Sequence, residues 1–253
     1  MLALIALTAV GCVSGTVSSR WRNHGDLRIW GDATAGITDD AYQWGSAAVL
    51  AAAIPIADAN DTAWSDKAIE NTPFSNHQSD GDRVMQGLMG VAGGLAVGEW
   101  LLGDDEGLAT ETLVESMLVT AGIVRLMKSS RSRRRPRGSG SYDSSPSGHA
   151  TAAWVSATFL ARRIDDSYDD WRGKLGYLSY VPAAAVMLNR VENARHYPSD
   201  VAVGALLGSV ITNIIYNAHY PGDGRRGLND KPPITLVAAV DDDWAGLYMQ
   251  YTF

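Results

Sequence analysis

The chain has 253 residues, 46% of them hydrophobic and 19% charged, with 26 glycines, one cysteine and a formal net charge of −7. At roughly 150 residues per domain this length allows one large domain or two small ones, and the apolar share excludes a disordered or fibrous chain. The acidic balance, with an isoelectric point near 5.1, argues against a general nucleic-acid partner, and a single cysteine excludes an intrachain disulfide or a paired-cysteine metal site.

Residues 1–12 read MLALIALTAVGC, apolar from Leu2 to Val10 except for Thr8. That run is too short to cross a bilayer as a helix and suits the apolar core of a secretory leader. The sequence Ala9-Val10-Gly11-Cys12 is similar to a bacterial lipoprotein processing site, which makes Cys12 the expected lipid attachment point, although no Lys or Arg precedes the apolar run. Residues 13–38 form a polar segment. From 39 to 220, apolar stretches lie near 41–58, 84–102, 107–128, 147–163, 173–190 and 199–217, with a shorter one near 61–70. They are longer than ordinary strands and read as helices. Asp80 and Asp82 precede one of them, Ser147 can cap another, and Pro198-Ser199-Asp200 opens the last. The expectation is an all-α fold, a single bundle of six to seven helices over 39–220. In the extension 221–253, β-prone Ile234 to Val240 and the alternating Leu247, Met249, Tyr251 and Phe253 flank an Asp241–Asp243 turn, which predicts a short hairpin.

Three clusters carry chemistry. Lys128 to Arg137, KSSRSRRRPR, holds five arginines and a lysine in ten residues, a local reversal of sign in an acidic chain. Taken alone such a run is a solvated basic loop or a contact for anionic headgroups. Pro146-Ser147-Gly148-His149 opens an apolar helix, whose N-terminus is a natural anion site, with a hydroxyl from Ser147 and a titratable proton from His149. In the third cluster, Arg190 closes a helix, His196 lies in the connection, and Asp200 sits in the first turn of the next helix, where its carboxylate can orient an imidazole. Together they supply what phosphoryl transfer through a covalent histidine requires: cationic donors for phosphate oxygens, an oriented nucleophile and an acid for the leaving oxygen. No acidic metal cluster or P-loop is visible, which suggests a metal-free mechanism with no cofactor.

At this point the sequence resembles the type 2 phosphatidic acid phosphatase superfamily, which also contains bacterial class A acid phosphatases and vanadium haloperoxidases. The family signature K-x6-R-P, P-S-G-H and S-R-x5-H-x3-D is matched by Lys128 with Arg135-Pro136, by Pro146 to His149, and by Arg190, His196 and Asp200. The resemblance covers about residues 80–217 and implies an all-α bundle with its site at the helix ends. It implies His196 as the nucleophile oriented by Asp200, and His149 as the general acid. Lys128, Arg135, Arg190, Ser147 and the Gly148 N–H would hold the phosphate, while Arg131, Arg133, Arg134 and Arg137 match no fixed position and read as a substrate-facing rim. Asn189 stands where the family has Ser, and only nine residues separate Pro136 from Pro146.

The expected activity is therefore metal-independent hydrolysis of phosphate monoesters or of lipid phosphates and pyrophosphates, a phosphoric monoester hydrolase of the acid phosphatase or phosphatidic acid phosphatase type. Vanadate is the expected phosphate-mimicking inhibitor. The setting would be the bacterial cell envelope, facing the periplasm, with membrane association through the leader, a lipid anchor or apolar helices. A vanadate-dependent haloperoxidase, in which His196 ligates vanadate, is a second reading, and a catalytically silent envelope binding protein a third. Val84 to Leu102 carries one charge, Glu99, and glycines at 90, 94 and 98, a spacing common where membrane helices pack. Segment 107–128 carries Glu111, Glu115 and Arg125, which favours a soluble or peripherally anchored bundle. Oligomeric state is left open.

Overall fold

A computed structural model describes residues 41–71, 78–102, 107–130, 132–136, 140–168 and 171–220, together with Thr34 and the strand backbones at 234–241 and 244–251. The expected leader with Cys12, the polar segment 13–38 apart from Thr34, Arg131 and Arg137 lie outside the described residues. Six α-helices are described: α1 Ala41–Asn71, α2 Gln78–Leu102, α3 Leu108–Ser130, α4 Gly148–Ser167, α5 Tyr180–Glu192 and α6 Pro198–His219. A 3-10 turn, Gly173–Ser179, leads into α5. Strands β1 Ile234–Asp241 and β2 Trp244–Tyr251 pair antiparallel, with Ile234 opposite Tyr251 and Asp241 opposite Trp244, forming the expected hairpin.

The all-α reading holds, and three boundaries differ. Helix α2 starts at Gln78, so Asp80 and Asp82 lie inside its first turns and do not precede it. Stretches read separately near 41–58 and 61–70 are one helix, α1, which carries Pro55 in its interior. Asp61 turns inward and bonds other elements, so α1 runs through. Segment 173–190 begins as a 3-10 turn, because Gly173 and Gly176 lie against Asp165 and Ala161 of α4 where a Cβ would clash.

Helices α4 and α6 pack on each other at the centre, with α2, α3 and α5 around them. The core is built from small residues, Ala92, Ala96, Ala109, Ala153, Ala157 and Ala183, filled by Leu88, Val155, Phe159, Val186 and Tyr216. Small side chains let helix axes approach closely, and the limit is reached where α6 crosses α4. A Cβ on Gly204 would lie 2.7 Å from the Ser147 carbonyl oxygen and 2.9 Å from Thr151 Oγ1. That crossing sets the N-termini of α4 and α6 side by side, and the Ser147 N–H donates to the Asp200 carbonyl at 3.1 Å. The C-termini of α3 and α5 reach the same end of the bundle.

Candidate active site

Each motif residue arrives at that end by a local cause. Ser147 caps α4, its Oγ accepting from the Ala150 N–H at 3.4 Å, while the first-turn N–H groups have no intrahelical acceptor and define an anion cradle. After α5, Asn193 to Arg195 fold tightly, with Ala194 in the left-handed region at φ 54°. A non-glycine residue there is strained by about 1 kcal/mol, and the turn lays the His196 N–H on the Arg190 carbonyl at 3.2 Å. Pro198 starts α6, and the Asp200 carboxylate reaches back to the Tyr197 N–H at 3.0 Å.

His196 is buried, and its Nδ1 lies 2.6 Å from the Ser144 carbonyl oxygen. A carbonyl only accepts, so Nδ1 carries the proton and the lone pair sits on Nε2. Burial, then the charges of Arg135, Lys128 and His149, push the ring's pKa down to about 3, against the opposing pull of the Ser144 bond. The imidazole is thus neutral at physiological pH. The expectation that Asp200 orients His196 changes in one respect. Asp200 makes its carboxylate bonds elsewhere, accepting from Ser144 Oγ at 2.5 Å and from an Arg133 nitrogen at 2.7 Å. Its influence passes through Ser144, whose carbonyl holds the ring.

Arg135 forms a two-pronged pair with Asp143, both bonds at 3.0 Å. Lys128 Nζ donates to the Asp143 backbone carbonyl at 2.9 Å and lies 3.9 Å from its carboxylate. Burial lowers the Lys128 pKa, with Asp143 opposing. A hydrogen bond from Ser141, helped by Arg135 and Lys128, holds Asp143 at about 2. Arg190 is almost wholly buried and donates to Asp82 of α2, whose Oδ1 is also 3.1 Å from His149 Nε2. Burial and then Arg190 lower the His149 pKa, while Asp82 raises it. Gly81 makes the contact feasible, since a Cβ there would collide with Asn189 and sit 3.0 Å from the Arg190 guanidinium.

All eight motif residues are therefore brought to one end of the bundle. Arg134 behaves as a rim residue, exposed and bonded to the Tyr142 hydroxyl at 2.7 Å. Arg133 does not. It points inward onto Asp200, Ser199 and Asp61 and stacks 4.6 Å from the Tyr197 ring centroid. Sequence reasoning missed Asp61 and Ser144, took Arg133 for a rim residue, and had Asp82 only as a helix start. Among the described residues no group of three or more His, Cys, Asp or Glu side chains is placed to hold a metal ion.

Residues 111–222, which carry most of the residues of this site, match the model of the PAP2 superfamily. Over 100 residues the chain is 33% identical to the lipid A 1-phosphatase of Porphyromonas gingivalis, an alignment covering 40% of this chain and 21% of that protein. A probable diacylglycerol pyrophosphate phosphatase 1 of Schizosaccharomyces pombe is 28% identical over 87 residues, 32% of this chain and 31% of the relative. Diacylglycerol pyrophosphate phosphatase 1 of Saccharomyces cerevisiae is 26% identical over 110 residues, 39% and 38% of the two chains. The chain thus spans well under half the length of these curated relatives. No solved structure matches it.

Proposed function

We propose that this protein is a phosphatase that transfers phosphate from a lipid phosphate or phosphate monoester to His196 and then to water. The observation that carries this reading is the Nδ1 contact with the Ser144 carbonyl, which leaves a neutral imidazole with its lone pair on Nε2 in a site rich in cations. Lys128, Arg135, Arg190 and the first turn of α4 neutralise the phosphate oxygens. Nε2 attacks phosphorus, the bond to the leaving oxygen breaks, and that oxygen takes the proton of His149. Water then attacks phosphorus, the P–N bond breaks, and His149 accepts the water proton, restoring both histidines. No step draws on a metal ion.

Lipid phosphates are the favoured substrate class, supported by the names of all three relatives. Trp100, Leu101 and Leu102, exposed by 55, 76 and 78%, form an apolar patch at the end of α2 away from the site, which supports membrane contact at that end and not at the phosphate cradle. Helix α6 alone among the described helices is long and apolar enough to cross a bilayer, but 61% of its apolar window is buried in the bundle, which supports association rather than insertion of that helix. We place the protein in the bacterial cell envelope, with Cys12 as its candidate anchor. Lipid-precursor labelling that survives Cys12→Ser overturns the anchor.

The deciding experiment is a substrate panel of phosphatidate, diacylglycerol pyrophosphate, isoprenyl pyrophosphate and p-nitrophenyl phosphate, run with chelator and with vanadate. Chelator-resistant, vanadate-sensitive phosphate release, fastest on lipids, is expected, with an acid-labile phosphohistidine in rapidly quenched samples. Absence of phosphate release from every substrate overturns the proposal.

A further inference from the structure

We propose that Arg133, anchored by Asp61 of α1, is a positioning residue that sets the attack geometry of His196 through Asp200 and Ser144; this rests on His196 being the nucleophile. The Arg133 guanidinium is a fork with both ends engaged. One nitrogen donates to Asp200 at 2.7 Å and to Ser199 Oγ at 2.8 Å, and the other meets Asp61 at 2.5 Å and lies 3.6 Å from Asp58. Asp61 and Asp200 are both buried. Asp61 also accepts from the Ser199 N–H at 2.9 Å and from its hydroxyl at 2.5 Å, which ties α1 to the first turn of α6.

Ser144, which holds the imidazole, is gripped by Arg133 from two sides. Its N–H donates to the Arg133 carbonyl at 3.1 Å. Its hydroxyl donates to Asp200, the carboxylate the guanidinium holds. Every link from Asp61 to the His196 ring is a short bond between buried or half-buried groups, so a change at the far end moves Ser144 and tilts the ring. Burial opposes charge on Arg133, but the Asp61 bond and the Asp200 charge prevail and raise its pKa, so the fork stays cationic at any working pH. Arg133 touches no reacting atom in this scheme, and Asp61 lies on a helix outside the family-matching segment 111–222.

A rim arginine and a positioning arginine predict different kinetics. For Arg133→Met we expect kcat on p-nitrophenyl phosphate to fall about 100-fold, the scale of an ångström-sized misplacement, with KM within threefold of wild type. Adding guanidinium ion should restore part of that rate. Asp61→Asn, which keeps the shape and an acceptor for the Ser199 N–H, should cost about tenfold in kcat. Thermal melts report that each variant is folded, and Asp61→Asn serves if Arg133→Met is not. An activity-independent readout is the downfield Nδ1–H proton resonance of His196, assigned by its loss in His196→Asn. It should shift or broaden in both variants. A raised KM with unchanged kcat, or an unchanged resonance in a folded variant, overturns the positioning role. A wild type that releases no phosphate from any substrate, yet shows the resonance change, removes the phosphatase reading and leaves the positioning chain standing.

Discussion

The two ends of the bundle carry similar residues to different effect. At the end away from the site, ion pairs join one cation to one carboxylate in two places. Arg163 pairs with Glu99 at 2.8 Å and Lys174 with Asp165 at 2.9 Å, and Arg162, Arg163 and Lys174 each lie over a tyrosine ring. At the site end the sharing is unequal. Lys128 and Arg135 divide one carboxylate, Asp143, while Asp61 and Asp200 divide one cation, Arg133. Matched pairs fasten helices together. The unequal sets polarise the site, leaving spare positive charge where phosphate is held and spare negative charge behind an imidazole that becomes cationic when phosphorylated.

The strongest way to break this contrast is His196→Ala, which should abolish phosphohistidine and cut turnover by about 10⁴-fold or more; a variant with wild-type turnover would remove the nucleophile from the scheme. Next, His149→Ala should lose about 10²- to 10⁴-fold on an alkyl phosphate and much less on p-nitrophenyl phosphate, whose leaving group needs no proton. Equal losses on both substrates would disprove the acid role.

The third effect is on stability. His196 protonates near 6.5 when unfolded and near 3 when folded, so the unfolded chain binds the extra proton between those values. Stability from this group is complete above about pH 6.5 and is lost as pH falls, by up to about 1.4 kcal/mol per unit. Denaturation midpoints between pH 7 and 4.5 should decline in wild type and decline less in His196→Gln; parallel curves would contradict the buried neutral ring. The smallest effect belongs to the far end. Arg163→Met should destabilise by about 1–3 kcal/mol, between surface and buried ion pairs, with kcat/KM per folded molecule unchanged. A catalytic loss there would erase the distinction between the two ends.

The parts of this arrangement readable from the sequence are those encoded locally. Ser147 as a cap, Pro198 as a helix start, and the spacing from Arg190 to His196 to Asp200 are short-range features, and all place their residues as expected. What escaped depends on distant partners or on main chain. Asp61 meets Ser199 across 138 residues, and nothing near Asp61 distinguishes it from the exposed Asp58. Ser144 acts through its carbonyl, a group every residue carries. Arg133 sits among four other arginines of one segment, and its inward turn depends on Asp61 and Asp200, carboxylates more than 60 residues away that receive it.

The glycine crossing has a thermal consequence. Because α6 rests at Gly204 on the Ser147 carbonyl, the spacing between the start of α4, with His149, and the start of α6, just after His196, is a backbone-to-backbone dimension. Side chains in the alanine-rich body can exchange rotamers on warming without altering it. Heating should therefore leave turnover rising smoothly until the helices themselves part, so that loss of activity and cooperative unfolding fall at the same temperature.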